Sequence, residues 1–326
     1  MAIGQETDFK IYPNQFFGGM VETLQTETDV WNANSAGVMQ FSTQNMKGDY
    51  EKQSFFQRLG SLVNDRDPTS TAGVADSKLT QDEIISIKVN KRIGPMAETL
   101  DVWKKVALDP AEFSVVMGQQ AGKDVAVQYV NSALYSVRAV LKSIGASVQY
   151  DATAQTLKTA NHTALVNTLA LLGDKSSRIA AFVMHSAQYF ELVKQSIADN
   201  VFQVAGAVIY SGTPATFGKP VIVTDSPATF DPATGSVLAK YDILALVPGA
   251  VEVVESEDRS VLSQYITGLA NLSLRIQGEY AYNMRVKGAS FTGAINPNDA
   301  ALQLASNWSY RMQEVKSGPG ARLTTF

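Results

Sequence analysis

The spacing of apolar residues changes character several times along the chain, and each change predicts an element. The first 35 residues scatter apolar positions among polar ones, as in "IYPNQFFGGM", and keep neither a helical nor a strand period for long. They predict an arm that needs a surface to lie against. "GVMQFST", residues 37–43, reads as a strand. Well downstream, Ile85, Ile87 and Val89 alternate with Ser86, Lys88 and Asn90 in "IISIKVNKRI", the period of two of a half-buried strand. The two runs can pair as a long hairpin. Between them, Gln44 to Asp82 is polar and charged, with one aromatic cluster at Tyr50, Phe55 and Phe56. Connections beyond ~15 residues are uncommon inside a compact domain, so this one predicts a projecting finger.

A helix signal follows. Asp109 suits an N-cap, Pro110 the first helical position, and Glu112 stands where a capping box needs a carboxylate. From Ala126 through Val130, Leu134, Val137 and Leu141 to Ile144, apolar residues recur at three- and four-residue steps, and Gly145 is placed to close the helix. Unbroken from Pro110 to Ile144, it spans roughly 50 Å, a rod suited to a scaffold. Gly118 and Gly122 are expected to bend or interrupt its first third.

A mixed α/β stretch comes next. A helix around Ala164–Leu172 ends at Gly173, "IAAFVMH" reads as a buried strand, and Ser186 caps a helix with Phe190, Val193 and Ile197 on one face. "AVIY" and "PVIVTD" predict strands around a turn-rich segment, with further strands near Ile243–Val247 and Val251–Val254. Tyr280, Tyr282, Met284 and Val286 then alternate with Ala281, Asn283, Arg285 and Lys287, a long strand with one wet face. In "INPNDAALQLASNWSYRM", Asn296 can cap and Pro297 can start a short helix through Ala305, leaving Trp308 and Tyr310 to anchor the tail.

Composition narrows the chemistry. The 326 residues include no Cys, which removes disulfides, thiolate zinc sites and Cys nucleophiles and is compatible with a reducing cytoplasm. A net charge of −4 with Lys and Arg scattered disfavours tight sequence-specific DNA binding. No apolar run reaches the ~18 residues of a membrane span, and the start lacks the layout of a signal peptide, so the protein is expected to be soluble and intracellular when made. "GQQAGKD" and "GTPATFGKP" fail the phosphate-loop spacing and its final Ser or Thr. His162 and His185 read as structural. Glu252, Glu255, Glu257 and Asp258 lack the spacing of a calcium loop and read as a solvated loop; Tyr280, Tyr282 and Trp308 read as sheet core ahead of a stacking platform. No catalytic, cofactor or metal site is predicted.

The order of arm, finger, long helix, α/β segment and late long strand resembles the major capsid proteins of tailed double-stranded-DNA bacteriophages. "DEIISIKVNKRIGP" resembles the return strand of that family's extended loop, Pro110–Ile144 its spine helix, "AFVMHSAQYFELVKQ" with "GKPVIVTDSP" its axial domain, and "LRIQGEYAYNMRVKGASF" the strand rejoining its peripheral domain. "NPNDAALQLASNW" is similar to the ending that often follows. The resemblance implies an α+β, HK97-like fold: an arm over 1–35, an extended loop over 36–95, a peripheral domain with the spine helix over 96–150, an axial domain over 151–250, and a return to the peripheral domain over 251–326. It implies a structural protein, not an enzyme and without cofactors, that self-assembles through pentamers and hexamers into an icosahedral shell around viral dsDNA. Loop and arm residues expected against neighbouring copies are Phe16, Phe17, Phe41, Tyr50, Phe55, Phe56, Arg58, Ile87, Lys88 and Arg92; Asp109, Pro110, Pro297 and Trp308 are expected as structural anchors. No long charged helical extension precedes the arm, so a separate scaffolding protein is expected, with a portal, and a decoration protein as an optional partner. DNA would touch the mildly acidic lining without specificity. The expected location is the virion capsid, made and assembled in the bacterial host cytoplasm, with no membrane partner. The alternatives are an encapsulin-like shell around protein cargo and a small-oligomer α/β enzyme.

Overall fold

The computed structural model describes residues 13–60, 63, 65, 67–99, 110–203, 218–235, 238–267 and 270–326. Its first half runs α1 (Pro13–Asn34), β1 (Met39–Thr43), β2 (Tyr50–Phe56), β3 (Gln81–Thr99), α2 (Pro110–Ile144), β4 (Gln149–Asp151), α3 (His162–Ala170), β5 (Ala181–Met184) and α4 (Ser186–Gln203). The remainder runs β6 (Val221–Val223), β7 (Phe230–Asp231), β8 (Lys240–Leu246), β9 (Val251–Glu255), β10 (Ser260–Ile266), β11 (Ser273–Val286), β12 (Ala289–Phe291), α5 (Asp299–Gln303), β13 (Trp308–Tyr310) and β14 (Gly320–Thr325). An α+β fold results, in which two sheets share the long helix α2.

Over residues 13–34 the expected arm is a helix; residues 1–12 lie outside the described part. Its buried stripe, Phe16, Met20 and Leu24, is one residue wide and steps by four, and Gly18 and Gly19 weaken the helical signal around it. Packing decides the outcome. Helix α2 passes unbroken through Gly118 and Gly122, because those glycines let α1 approach backbone to backbone. A Cβ at Gly118 would lie 2.1 Å from the Phe16 carbonyl oxygen, one at Gly122 2.8 Å from that of Met20, and one at Gly19 2.8 Å from that of Val115. The expected bend is therefore a contact seam. At the other end Gly145, at φ 88°, follows the last helical residue as predicted. Asp109, the expected N-cap, lies outside the described residues, and Pro110 is the first residue of the helix.

The first sheet has the order β1-β9-β11-β3-β2, with β10 also on β11. Strand β1 does not pair with β3 as the sequence suggested. It runs parallel to β9, with Met39 opposite Val251, and β3 takes β2 as its antiparallel partner, with Tyr50 opposite Ile87. The face of β11 expected to be wet is largely covered. Ala281 and Asn283 are buried, the Asn283 amide donates to Met46 Sδ, and Arg285 pairs with Glu51 and Glu252. On the other face Tyr282 reaches α2, its hydroxyl donating to Ser132 Oγ at 2.7 Å.

The second sheet has the order β4-β14-β8-β5-β6, with β7 on β8. Every residue of β5 is buried, as the run "AFVM" predicts. The last strand, β14, lies between β4 and β8 in this sheet. Asn161 caps α3 by accepting from the Ala164 N–H at 2.7 Å. Along α4, Gln188 and Leu192 turn inward and Phe190 outward, so the apolar face predicted there is rotated. The "AVIY" strand lies outside the described residues. Helix α2 is tied to this sheet by a buried charge cluster: Arg138, 1% exposed, pairs with Asp242 and Asp231, and Asp242 also accepts from Arg322 at 3.2 Å and Thr324 at 2.7 Å. Burial opposes the Arg138 charge, but the two carboxylates more than offset it and hold the guanidinium pKa above its ordinary value.

Candidate functional site

The described residues present no enclosed reaction centre, so the candidate site is the set of surfaces the fold leaves for other molecules. The finger is built from β2, β3 and the connection between them. Its base is fixed by charge pairs: Lys88 with Glu257, Arg285 with Glu51 and Glu252, and Lys91 with Asp299 at 2.9 Å. Asp299 also accepts from Gln128 and Ser132 of α2. Burial alone would raise its carboxyl, but the Lys91 and Gln128 hydrogen bonds and the Lys91 charge outweigh it and hold the group below the usual carboxylate range. Glu51 is likewise held down, the Arg285 contact overcoming partial burial. The finger is thus braced at its root against α2, β11 and the α5 segment.

Beyond that root it has no core of its own. Residues 67–80 are exposed throughout, and the apolar side chains Val74 and Leu79 stand in solvent with them. The residues expected against neighbouring copies divide by position. Phe17, Tyr50, Phe56, Arg58 and Arg92 are exposed, and Phe41 and Phe55 half-buried. Phe41 is stacked on Tyr129 at 6.2 Å and edge-on to Trp31 at 6.3 Å. Phe16, Ile87 and Lys88 lie inside the chain's own fold: Phe16 in the seam between α1 and α2, Ile87 in the sheet core, Lys88 on Glu257. Those three have no free face for a neighbour in this chain. Sequence reasoning treated the arm as unpartnered and so could not see that Phe16 already had a partner.

Both anchors of the tail are buried, in a revised local geometry. Trp308 donates from Nε1 to the Leu302 carbonyl at 2.9 Å and meets Phe291 edge-on at 5.1 Å. Pro297 is buried ahead of α5, but the cap is Asn298, which accepts from the Ala301 N–H at 2.9 Å. Asn296 instead takes φ 57° and accepts from Asn90.

The chemically suggestive groups have structural employment. Glu252, Glu255 and Glu257 each pair with a cation, Arg285, Arg259 and Lys88, so the expected solvated loop is in part a set of ion pairs on β9 and after it. Burial raises the Glu255 carboxyl in spite of Arg259. His185 accepts from the Ala187 N–H at its Nδ1, places Nε2 3.7 Å from Asp225, and packs its ring on Phe230 and Tyr241. His162 is the first residue of α3. Tyr280 and Tyr282 are sheet core, as predicted. "GQQAGKD" lies inside α2, and most of "GTPATFGKP" lies outside the described residues. Among the described residues no group of three or more His, Cys, Asp or Glu is placed to hold a metal ion, and no helix is long and apolar enough to cross a membrane.

The sequence profile of the family described as "Major capsid protein 13-like" matches residues 8–322. The chain belongs to that family. As a capsid-family chain its work is structural, the formation of a shell. A comparison with curated proteins gives no match. Among solved structures, the capsid of Ralstonia phage GP4 is 11% identical over 90% of this chain and 88% of its own, at a TM-score of 0.52. A structure from Microbacterium phage Oxtober96 is 10% identical over 87% and 88% of the two chains at a TM-score of 0.49. One from Mycobacterium phage Cain is 13% identical over 86% and 89% at 0.48. At 11% identity the likeness to the first of these is one of fold.

Proposed function

We propose that this chain is the building block of a closed icosahedral shell around double-stranded DNA, joining copies through pentamers and hexamers. The observation that supports this best is the finger. A connection exposed over residues 67–80, carrying solvent-facing Val74 and Leu79 on a hairpin braced by ion pairs at its root, leaves those apolar side chains uncovered in a lone chain. Laid over a neighbouring copy, it gains the cover it lacks. Residues 36–95 then serve as the extended loop, the α2 unit as the peripheral domain, and residues 151–250 as the axial domain around which rings close. A contact in which the finger of one copy meets a different surface of the next is heterologous, and such contacts form rings when the rotation from copy to copy closes. A scaffolding protein and a portal are the expected further partners, and the net charge of −4 suits a lining past which DNA slides.

Negative-stain electron microscopy of the purified chain, with size-exclusion chromatography at low and high salt, tests the reading. Closed particles or five- and six-fold rings are expected. A small featureless oligomer under every condition, with a scaffold partner co-expressed as well as without, overturns it. Nuclease protection of nucleic acid inside particles from infected cells separates a DNA shell from one built around protein cargo.

A further inference from the structure

A cleft of about 390 Å³ draws its lining from both sheet units and from the two helices packed against each other. Helix α1 supplies Glu27 and Trp31, helix α2 supplies Ala126, Val127 and Val130, β1 supplies Phe41, and the connection after β6 supplies residues 224–227. These parts are fixed in place. Ser226 donates from Oγ to Asn131 Oδ1 of α2 at 2.5 Å and accepts from the Ala228 N–H at 3.2 Å, which pins the connection to the helix. Phe41 is held by its ring contacts with Trp31 and Tyr129. The cleft is thus pre-formed, and its volume falls within the ~300–1,000 Å³ range of small-molecule sites.

The lining selects by charge as well as by shape. Its carbon surface comes from Trp31, Phe41, Val127 and Val130, and its only charged members are Glu27 and Asp225, from distant parts of the chain. No Lys, Arg or His lies in the lining; His185, 3.7 Å from Asp225, is outside it. Among the described residues neither carboxylate pairs with a Lys or Arg. Both are exposed, so they stand on the solvent side of the cleft. The Ser186 hydrogen bond holds the Asp225 carboxyl below the usual carboxylate range, which keeps it ionised at neutral pH. An anionic ligand would meet only like charge here. A wholly apolar one would cover carboxylates without pairing them, and a bare metal ion has no use for aromatic walls. An organic ammonium satisfies both parts of the lining: its body takes apolar surface out of water at ~25 cal/mol per Å², and its charge meets carboxylates beside aromatic rings.

We propose that the cleft between α1, α2 and the connection after β6 binds a small amphipathic amine, an aromatic or branched aliphatic body carrying one ammonium group, with Glu27 and Asp225 as its counter-charges. The site is separate from the finger and stands whether or not copies assemble. Because its lining joins α1 and β1 to the second sheet unit, an occupied cleft also stabilises that junction, by mass action on the folded chain.

Tryptamine is the probe, compared with tryptophol, which keeps the size and loses the charge, and indole-3-propionate, which reverses it. Calorimetric titration of the purified full chain should show saturable one-to-one binding of tryptamine, about tenfold or more tighter than tryptophol, and no binding of the propionate. Glu27→Gln with Asp225→Asn should bring tryptamine down to the level of tryptophol. Val127→Trp, at a position 58% exposed in the lining, should fill the cleft and remove binding of both, with an unchanged unfolding midpoint showing that the chain still folds. Failure of tryptamine to saturate at millimolar concentration, equal binding of all three probes, or tryptamine binding that survives either variant unchanged overturns the proposal. Should Val127→Trp not fold, the paired carboxylate substitutions at the exposed rim decide alone. None of these readouts depends on particle formation, so the outcome leaves the shell reading where it stands.

Discussion

Replacing Gly118 by alanine sets helix propensity against helix packing. In a helix interior alanine is favoured over glycine by ~1 kcal/mol, so propensity alone predicts a more stable chain. The added Cβ, however, would stand 2.1 Å from the Phe16 carbonyl oxygen and 3.1 Å from the Met20 backbone nitrogen. Carbon and oxygen sit comfortably at about 3.3 Å or more, so α1 must retreat by about 1 Å, and no side-chain rotation relieves the clash because the blocking atoms are backbone. Overpacking of this kind costs ~1–3 kcal/mol. The gap it opens also forfeits part of the ~1.5–3 kcal/mol contributed by burying each of Phe16 and Met20. The expected net effect is a loss of about 2 kcal/mol. Gly18→Ala is the internal control: it lies in α1 with nothing within 4 Å of the new Cβ, and should gain up to ~1 kcal/mol. Urea unfolding of the unassembled chain, followed by far-ultraviolet circular dichroism, reads both as shifts in midpoint at constant slope. The reasoning fails if Gly118→Ala is as stable as the parent, or if the two variants shift in the same direction.

Three further outcomes follow from the same structure. Arg138→Leu leaves Asp242 buried with only Arg322 as a cationic partner. It should cost ~3–5 kcal/mol in thermal or urea unfolding, with Arg138→Lys intermediate, and a near-neutral result would mean the cluster is dispensable. Asp299 has a folded-state carboxyl below its ordinary value. Its stabilisation is therefore fully present above about pH 4 and is lost as pH falls through the depressed folded value; the stability gap between parent and Asp299→Asn should shrink below pH 4, and a gap that stays constant or widens contradicts the assignment. Trp308→Ala removes the Leu302 hydrogen bond and the Phe291 contact together and should cost ~3–5 kcal/mol, a change under ~1 kcal/mol showing that the tail is held elsewhere.

What the sequence disclosed was what local periodicity encodes. The run from Ala126 to Ile144 carries a full helical stripe closed by Gly145, and the run from Tyr280 to Val286 a strict alternation, so the presence and type of α2 and β11 were legible. Helix α1 was not, because its buried stripe of Phe16, Met20 and Leu24 acquires meaning only from Gly118 and Gly122 about a hundred positions later. Pairing partners were hidden for the same reason: nothing local to Met39–Thr43 distinguishes β9 from β3 as its neighbour. The apparent wet face of β11 was misread because Asn283 and Arg285 look solvated until Met46, Glu51 and Glu252 are brought over them. Of the candidate interface, exposure of Tyr50 and Phe56 followed from their place in a polar finger.

The position of β14 also sets a schedule for synthesis. This strand holds β4 and β8 together by pairing Arg322 with Gln149 on one side and Leu323 with Ile243 on the other. A nascent chain that has not yet released Gly320–Thr325 from the ribosome has neither pairing available, so its second sheet is split, with bare edges on β4 and β8. Contacts this distant along the chain form late and slowly. A stalled or shortened product that lacks Gly320–Thr325 thus has no finished second sheet to offer a growing particle, and emergence of this strand becomes a checkpoint on assembly.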